Sequence, residues 1–297
     1  MFIDEFLQYI KYEKAYSSHT FISYQTDMKQ FAAFVEQQKG RFDPTEISAY
    51  DIREWLLQLM NGGLSARSTS RKVATLNTFF GYLKKKGTIT ANPMDKVSAP
   101  KVQKRLPVYL HEKQMSDLLN PEETGELFPD TFEGKRDKLM IEMFYNLGIR
   151  LSELISIKDK DIDFNRQTIL ITGKRNKQRY IPFGNSLKSD ILAFESDRDA
   201  DVAREDDRLF TRADGKPLYR MLVYRVVNKY LEQVCTLTKK SPHVLRHTFA
   251  TAMLNNGADI DAVKELLGHA SLSATEVYTH TTFDRLRKIY KQAHPRA

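Results

Sequence analysis

Cysteine is almost absent from this chain of 297 residues, where Cys235 stands alone. One thiol cannot close an internal disulfide, and a zinc site would need its other ligands elsewhere. A reducing, intracellular setting is the expectation. Equally missing is any apolar run near the ~18 residues that a membrane-spanning helix requires. The opening residues, Met1 to Phe6, are acidic and amphipathic, and they lack the basic start and cleavage site of a secretory leader. The reading is therefore cytoplasmic, with no membrane partner. No low-complexity tract and no internal repeat is present. What remains is 41% hydrophobic and 28% charged, an ordinary globular composition on a length suited to two domains.

Charge gives the first hint of function. The formal balance is +8, and it is uneven: residues 1–107 hold 16 basic and 10 acidic side chains, residues 108–297 hold 30 and 28. A basic surface suits a polyanion such as nucleic acid. On charge alone, a basic protein with no such partner fits as well.

The first 87 residues read as four amphipathic helices. Phe2, Ile3, Phe6, Leu7 and Ile10 share one helical face, as do Phe21, Tyr24, Met28, Phe31 and Val35 after the start signal Ser17-Ser18. Asp51 is the expected cap of a third helix carrying Ile52, Trp55, Leu56, Leu59 and Met60, which Gly62-Gly63 ends. Val73, Leu76, Phe79, Phe80 and Leu83 mark the fourth, stopped near Gly87. Residues 88–107 lose this periodicity and contain Pro93, Pro100 and Pro107 among Lys96, Lys101, Lys104 and Arg105. They read as an extended basic linker.

From 108 to 297 the pattern is mixed but mostly helical. Leu139, Met140, Met143, Phe144 and Leu147 predict a helix ending at Gly148. Residues 167–172 and 179–183 alternate as strands joined by a basic hairpin over 173–178. Further helices are expected near 186–197, 218–236, 242–256, 259–267, 272–279 and 281–292. The fold class is thus mainly α, with a helical N-terminal domain and an α+β second domain holding a small antiparallel sheet.

Several residues have chemical potential. His243, Arg246 and His247 fall three or four residues apart behind Pro242, so one helical face presents them beside a helix start, a plausible phosphate site. His243 and His247 also have the spacing of zinc ligands. The glutamate of a zinc-protease helix is missing, however, and Arg246 on that face would repel a divalent cation. No metal is expected. Arg150 follows the helix-ending Gly148 and precedes Glu153, which is close enough to orient it; a plain surface pair is the bland alternative. Lys174 sits at the hairpin tip, where lysine also serves solubility. Tyr278 is one of 14 tyrosines, and its phenol needs nearby cations before it can attack at neutral pH.

Taken together, the order Arg150, Lys174, His243-x-x-Arg246, His269, Tyr278 resembles the tyrosine recombinase/integrase family. The stretches Gly148 to Leu154, Gly173-Lys174, His243 to Thr251 and Leu266 to His269 match its motifs, and the tail from Tyr278 to Ala297 resembles its XerC/XerD branch. The resemblance implies a four-helix SAM-like domain that binds the core of a DNA site (1–87), the linker (88–107) and a catalytic domain (108–297) whose last helix docks on a neighbouring protomer. It implies Tyr278 as nucleophile, Arg150 and Arg246 on the scissile phosphate, and Lys174 as general acid. His243 and His269 would assist, with Glu153 supporting. His247 is expected to be packed. Arg67, Arg71 and Lys72 are expected DNA contacts, against a solvated basic face.

The implied reaction gives a 3′-phosphotyrosine and needs neither metal nor cofactor. The implied partners are double-stranded DNA, a homo- or hetero-tetramer with a related recombinase, and a septal DNA translocase. The implied task is resolving chromosome dimers at a dif-like site before cell division. Three rivals stand beside it: a mobile-element integrase, a nicking-closing enzyme without strand exchange, and a non-catalytic helix-turn-helix regulator built on residues 259–279.

Overall fold

Serine starts three of the first four helices. In the computed structural model, which describes residues 2–102, 108–120, 127–173, 176–237, 240–268 and 280–296, α1 (Phe2–Gln8) widens into one π-turn over Tyr9–Glu13. α2 (Ser18–Lys39), α3 (Ala49–Asn61) and α4 (Ala66–Lys85) follow. The hydroxyls of Ser17 and Ser65 accept from the amides of Thr20 and Ser68, which would otherwise lack partners. α3 begins earlier than its apolar pattern suggests. Ser48 is its cap, and Asp51 closes a capping box by accepting from the Ser48 amide at 2.7 Å.

The four helices close over Phe6, Met28, Phe31, Trp55, Leu76, Phe79 and Phe80, all buried. Phe79 meets Phe6 and Phe80 edge-on at 5.1 Å, a favourable aromatic geometry. Inside the same unit, Asp27 is fully buried, neutralised by Lys72 at 2.8 Å and by Arg71, and accepts from the Thr75 hydroxyl at 2.9 Å. This corrects the expectation for Lys72. Only 4% exposed, it is engaged within the helices and presents nothing to DNA. A lone buried carboxylate costs so much that it captures the nearest cations. Arg67 is exposed, and Arg71 is half-exposed beside Asp27.

The expected extended linker also needs correction. Ile89, Met94 and Val97 pack on the N-terminal core, and Pro93–Lys96 forms a 3₁₀ turn capped by Asn92. Proline at the first helical position loses no hydrogen bond there. Arg53 donates to the Lys96 carbonyl at 2.6 Å and Ser70 to that of Pro100 at 3.3 Å. Up to Pro100 the segment therefore belongs to the first unit; Lys104, Arg105 and Pro107 lie outside the described residues. The chain divides into two compact units, Met1–Arg105 and Leu106–Ala297.

The second unit holds α5 (Glu112–Leu119), α6 (Phe132–Leu147) and the single turn α7 (Leu151–Leu154). A three-stranded antiparallel sheet follows: β1 (Ile162–Asp163), β2 (Thr168–Thr172) and β3 (Gln178–Pro182), in that spatial order. Ile169 pairs with Ile162 on one side and Ile181 on the other, and Ile171 pairs with Arg179. Then come α8 (Asn185–Asp201), α9 (Arg220–Val234), α10 (Pro242–Asn255), α11 (Ile260–Leu267) and α12 (His280–Ala293). α6 is buried nearly all round and forms the centre of the core with Phe249, Leu245, Ile169, Ile181 and Tyr230. Among the described residues, no helix is long and apolar enough to cross a membrane.

α12, the helix expected to dock on a neighbour, is seated on its own chain in this structure. Leu286, Tyr290 and Ala293 are buried in this chain's own core. Asn256 donates to the Ala293 carbonyl at 2.9 Å. His294 accepts at Nδ1 from the Arg296 amide, which leaves Nε2–H to donate to the Tyr145 carbonyl at 3.2 Å. The apolar stripe finds α10 and β3 of its own fold, so it is satisfied without a partner.

Candidate active site

A helix C-terminus ends in carbonyls without intrahelical donors and carries a partial negative charge. At the end of α11 three consecutive carbonyls are met by three guanidinium groups. Arg179 Nε donates to Leu266 at 2.8 Å, Arg246 Nη2 to Leu267 at 2.7 Å, and Arg150 Nη2 to Gly268 at 3.2 Å. Each arginine comes from a different element. Arg150 is the N-cap of α7, Arg179 lies in β3 and Arg246 in α10. Arg246 also donates through Nη1 to the Gly148 carbonyl at the end of α6, at 2.6 Å.

One carboxylate ties the group together. Glu153 accepts from Arg150 Nη1 at 2.8 Å and from the Arg150 amide at 2.9 Å. It also accepts both terminal nitrogens of Arg179, at 3.1 and 2.9 Å. Burial alone would raise the pKa of Glu153, but the hydrogen bonds and charges of Arg179, then of Arg150, outweigh it and hold this carboxyl below the usual range. Three cations thus face one anion, and the remaining partners are neutral carbonyls that orient the guanidiniums without cancelling their charge. Such an arrangement of forked donors suits the nonbridging oxygens of a phosphate.

The sequence matches the Phage integrase family over residues 108–285 and the N-terminal SAM-like domain of phage integrases over residues 3–87. Among curated relatives, the tyrosine recombinase XerC of Anoxybacillus flavithermus is 38% identical over 98% of this chain and 97% of its own length. The XerC of Chlorobaculum tepidum is 36% identical over 99% and 94%. The chain belongs to the phage integrase family, as a XerC-like tyrosine site-specific recombinase. The fold agrees: the XerH recombinase in its post-cleavage complex with palindromic difH superposes at a TM-score of 0.72, covering 97% of this chain and 93% of that one at 22% identity. The Tn1549 transposon integrase bound to transposon right-end DNA gives the same score at 20% identity, over 98% of each chain.

Of the residues expected in the recombinase site, the structure brings Arg150, Glu153 and Arg246 together. Lys174, His269 and Tyr278 lie outside the described residues, so their side chains are not placed here. In sequence they adjoin elements that are: Gly173 precedes Lys174, Gly268 precedes His269, and α12 opens two residues after Tyr278. His243 is exposed on α10. His247 is a correction: expected to be packed, it is exposed one turn beyond His243, because the core face of α10 is taken by Leu245, Phe249 and Met253.

Accessibility separates the three arginines. The Arg150 side chain is 37% exposed, whereas those of Arg246 and Arg179 are largely covered. Burial, reinforced by the nearby Arg150 charge, lowers the Arg246 pKa to about 10, which still leaves it protonated at neutral pH. Arg179 was absent from the expected set. Its signal lies in the strand alternation, where Gln178 and Tyr180 face outward while Arg179 faces inward like Ile181. An inward arginine in a strand demands a buried acceptor.

Gly148 explains how Arg246 finds its carbonyl. Its φ is +59°, a left-handed conformation that ends α6, and an added Cβ would stand 2.3 Å from the Phe249 ring. Gly148→Ala is expected to cost about 2–5 kcal/mol, combining left-handed strain of ~1–2 kcal/mol with overpacking of ~1–3 kcal/mol. Denaturant unfolding of the full chain measures this, and an unchanged midpoint would contradict it.

Proposed function

We propose that this recombinase cleaves and rejoins DNA through a covalent bond from Tyr278 to a 3′-phosphate. The Tyr278 oxygen attacks the phosphorus and the bond to the 5′ oxygen breaks. The phenolic proton passes to an imidazole, His243 or His269, and Lys174 gives a proton to the departing 5′ oxygen, which leaves as the 5′-hydroxyl. Arg150 and Arg246 bear the charge that grows on the nonbridging oxygens, while His243 and His269 hydrogen-bond the phosphate and assist proton transfer. The observation that carries this reading is the triple docking at the end of α11, since a cluster of forked cations borders the segment containing His269 and Tyr278. One phosphoester is exchanged for another, so the adduct keeps the bond energy for rejoining.

The substrate we propose is a dif-like site at the chromosome terminus, where recombination resolves chromosome dimers before cell division. The protein would act in the cytoplasm as a homo- or hetero-tetramer with a related recombinase, aided by a septal DNA translocase. Residues 1–87 would bind the core of the site, with Arg67 and Arg71 contacting phosphates, and 108–297 would carry the chemistry. The XerC names of its relatives support this choice, and the Tn1549 likeness keeps a mobile-element integrase as the second reading. The test is recombination between two copies of the host's terminus site, with and without a related host recombinase. Recombinant product is expected. Its absence there, together with product at element ends, favours the second reading.

A further inference from the structure

Arg179 is turned away from any substrate by burial and by its partners within the chain. Its Nε, Nη1 and Nη2 all donate inside the protein, and its side chain is 6% exposed. Yet it stands where three parts of the site meet. It holds both oxygens of Glu153, the carboxylate that also orients Arg150. It anchors the α11 terminus through Leu266, and its guanidinium fills the space beside Gly268, where an added Cβ would come within 3.1 Å. It also lies under the hairpin base. A Cβ on Gly173 would reach Glu153 at 3.4 Å and the Arg179 guanidinium at 3.8 Å. Gly173 is the last described residue before Lys174, and Gly268 the last before His269.

We infer that Arg179 is a positioning residue for strand cleavage: it clamps Glu153 against the α11 terminus and so sets Arg150, the base of the Lys174 hairpin and the turn entering the His269–Tyr278 segment in one register. Lysine can supply the charge but not the fork that spans two carboxylate oxygens and a carbonyl. Without Arg179, Glu153 is left with Arg150 alone, and Arg150 is drawn toward the carboxylate and away from the phosphate. This inference rests on the proposed roles of Arg150, Lys174 and Tyr278.

The test is single-turnover cleavage of a nicked suicide duplex carrying the terminus site, using the 297-residue chain and its R179K and R179M variants. Duplex affinity and thermal unfolding are measured alongside. The rate constant of adduct formation is expected to fall about 10-fold in R179K and about 100-fold or more in R179M, the range seen when active-site geometry slips by about 1 Å. Duplex affinity should hold within about twofold. A merely structural role would instead lower the amplitude, as part of the protein misfolds, and leave the rate constant of the rest unchanged. Because R179M and E153Q break the same clamp, the double variant should be no slower than the slower single one. Should R179M fail to fold, R179K with an unaltered unfolding temperature carries the test. A wild-type rate constant in a folded variant overturns the role of Arg179. If the wild-type chain forms no adduct at all, the underlying functional reading fails instead, and the role with it.

Discussion

Tyr278→Phe is expected to abolish covalent capture of DNA while leaving duplex binding intact. The substitution removes one oxygen and keeps the ring, so packing and charge barely change. What disappears is the only atom proposed to bond to phosphorus. Deleting the nucleophile of an enzyme that works through a covalent intermediate costs roughly 10⁶ in rate, and the expected adduct is at background. A nicked duplex that loses its short 5′-hydroxyl strand after cleavage traps the product, which denaturing electrophoresis then counts. An adduct formed by the phenylalanine variant would overturn the assignment of Tyr278. An adduct with the wild-type chain already excludes a non-catalytic regulator, and recombinant product between two sites excludes a pure nicking-closing enzyme.

The second large effect is expected at Arg246. Its guanidinium spans the Gly148 and Leu267 carbonyls, at 2.6 and 2.7 Å, and so joins the ends of α6 and α11. Two Nη hydrogens remain for a phosphate oxygen after those bonds are made. Arg246→Ala removes this charge from a covered site, where electrostatic stabilisation of the transition state is strongest, and cleavage should slow by ~10²–10³. Arg246→Lys keeps a charge without the span, and should fall between alanine and wild type. Duplex affinity should change little in both, because binding draws on many phosphate contacts. A loss confined to affinity, with the cleavage rate constant retained, would contradict a transition-state role.

Much of this architecture could be read from residue patterns because the relevant physics is local. Serines before apolar repeats mark the starts of α2 and α4, and alternation from 167 to 183 marks the hairpin. The elements that escaped are short or bound by distant partners. α5 has eight residues and follows the linker prolines in sequence, while β1 has only two and cannot display a period. Lys72 looked like a surface cation because nothing in its own helix reveals Asp27, 45 residues away. Arg179 is illegible for the same reason: Glu153 and Leu266 meet it only in the folded chain. Arg150 and Glu153, three residues apart, could be paired by spacing alone. His247 shows the limit of that logic, since helical spacing groups it with His243 without saying which side the core lies on.

The cis seat of α12 has a kinetic consequence for any higher-order complex. Drawing Leu286 and Tyr290 into water costs roughly 1.5–3 kcal/mol for each side chain, and the Ala293 and His294 hydrogen bonds are lost as well. A tail that left its seat in isolation would return quickly. A tail displaced while a sister tail enters the vacated groove loses almost nothing in net energy. In the proposed tetramer, handover of tails between protomers would therefore be favoured over one-at-a-time release, and because α12 begins two residues after Tyr278 in sequence, it would tie the state of that proposed nucleophile to the occupancy of a neighbour's seat.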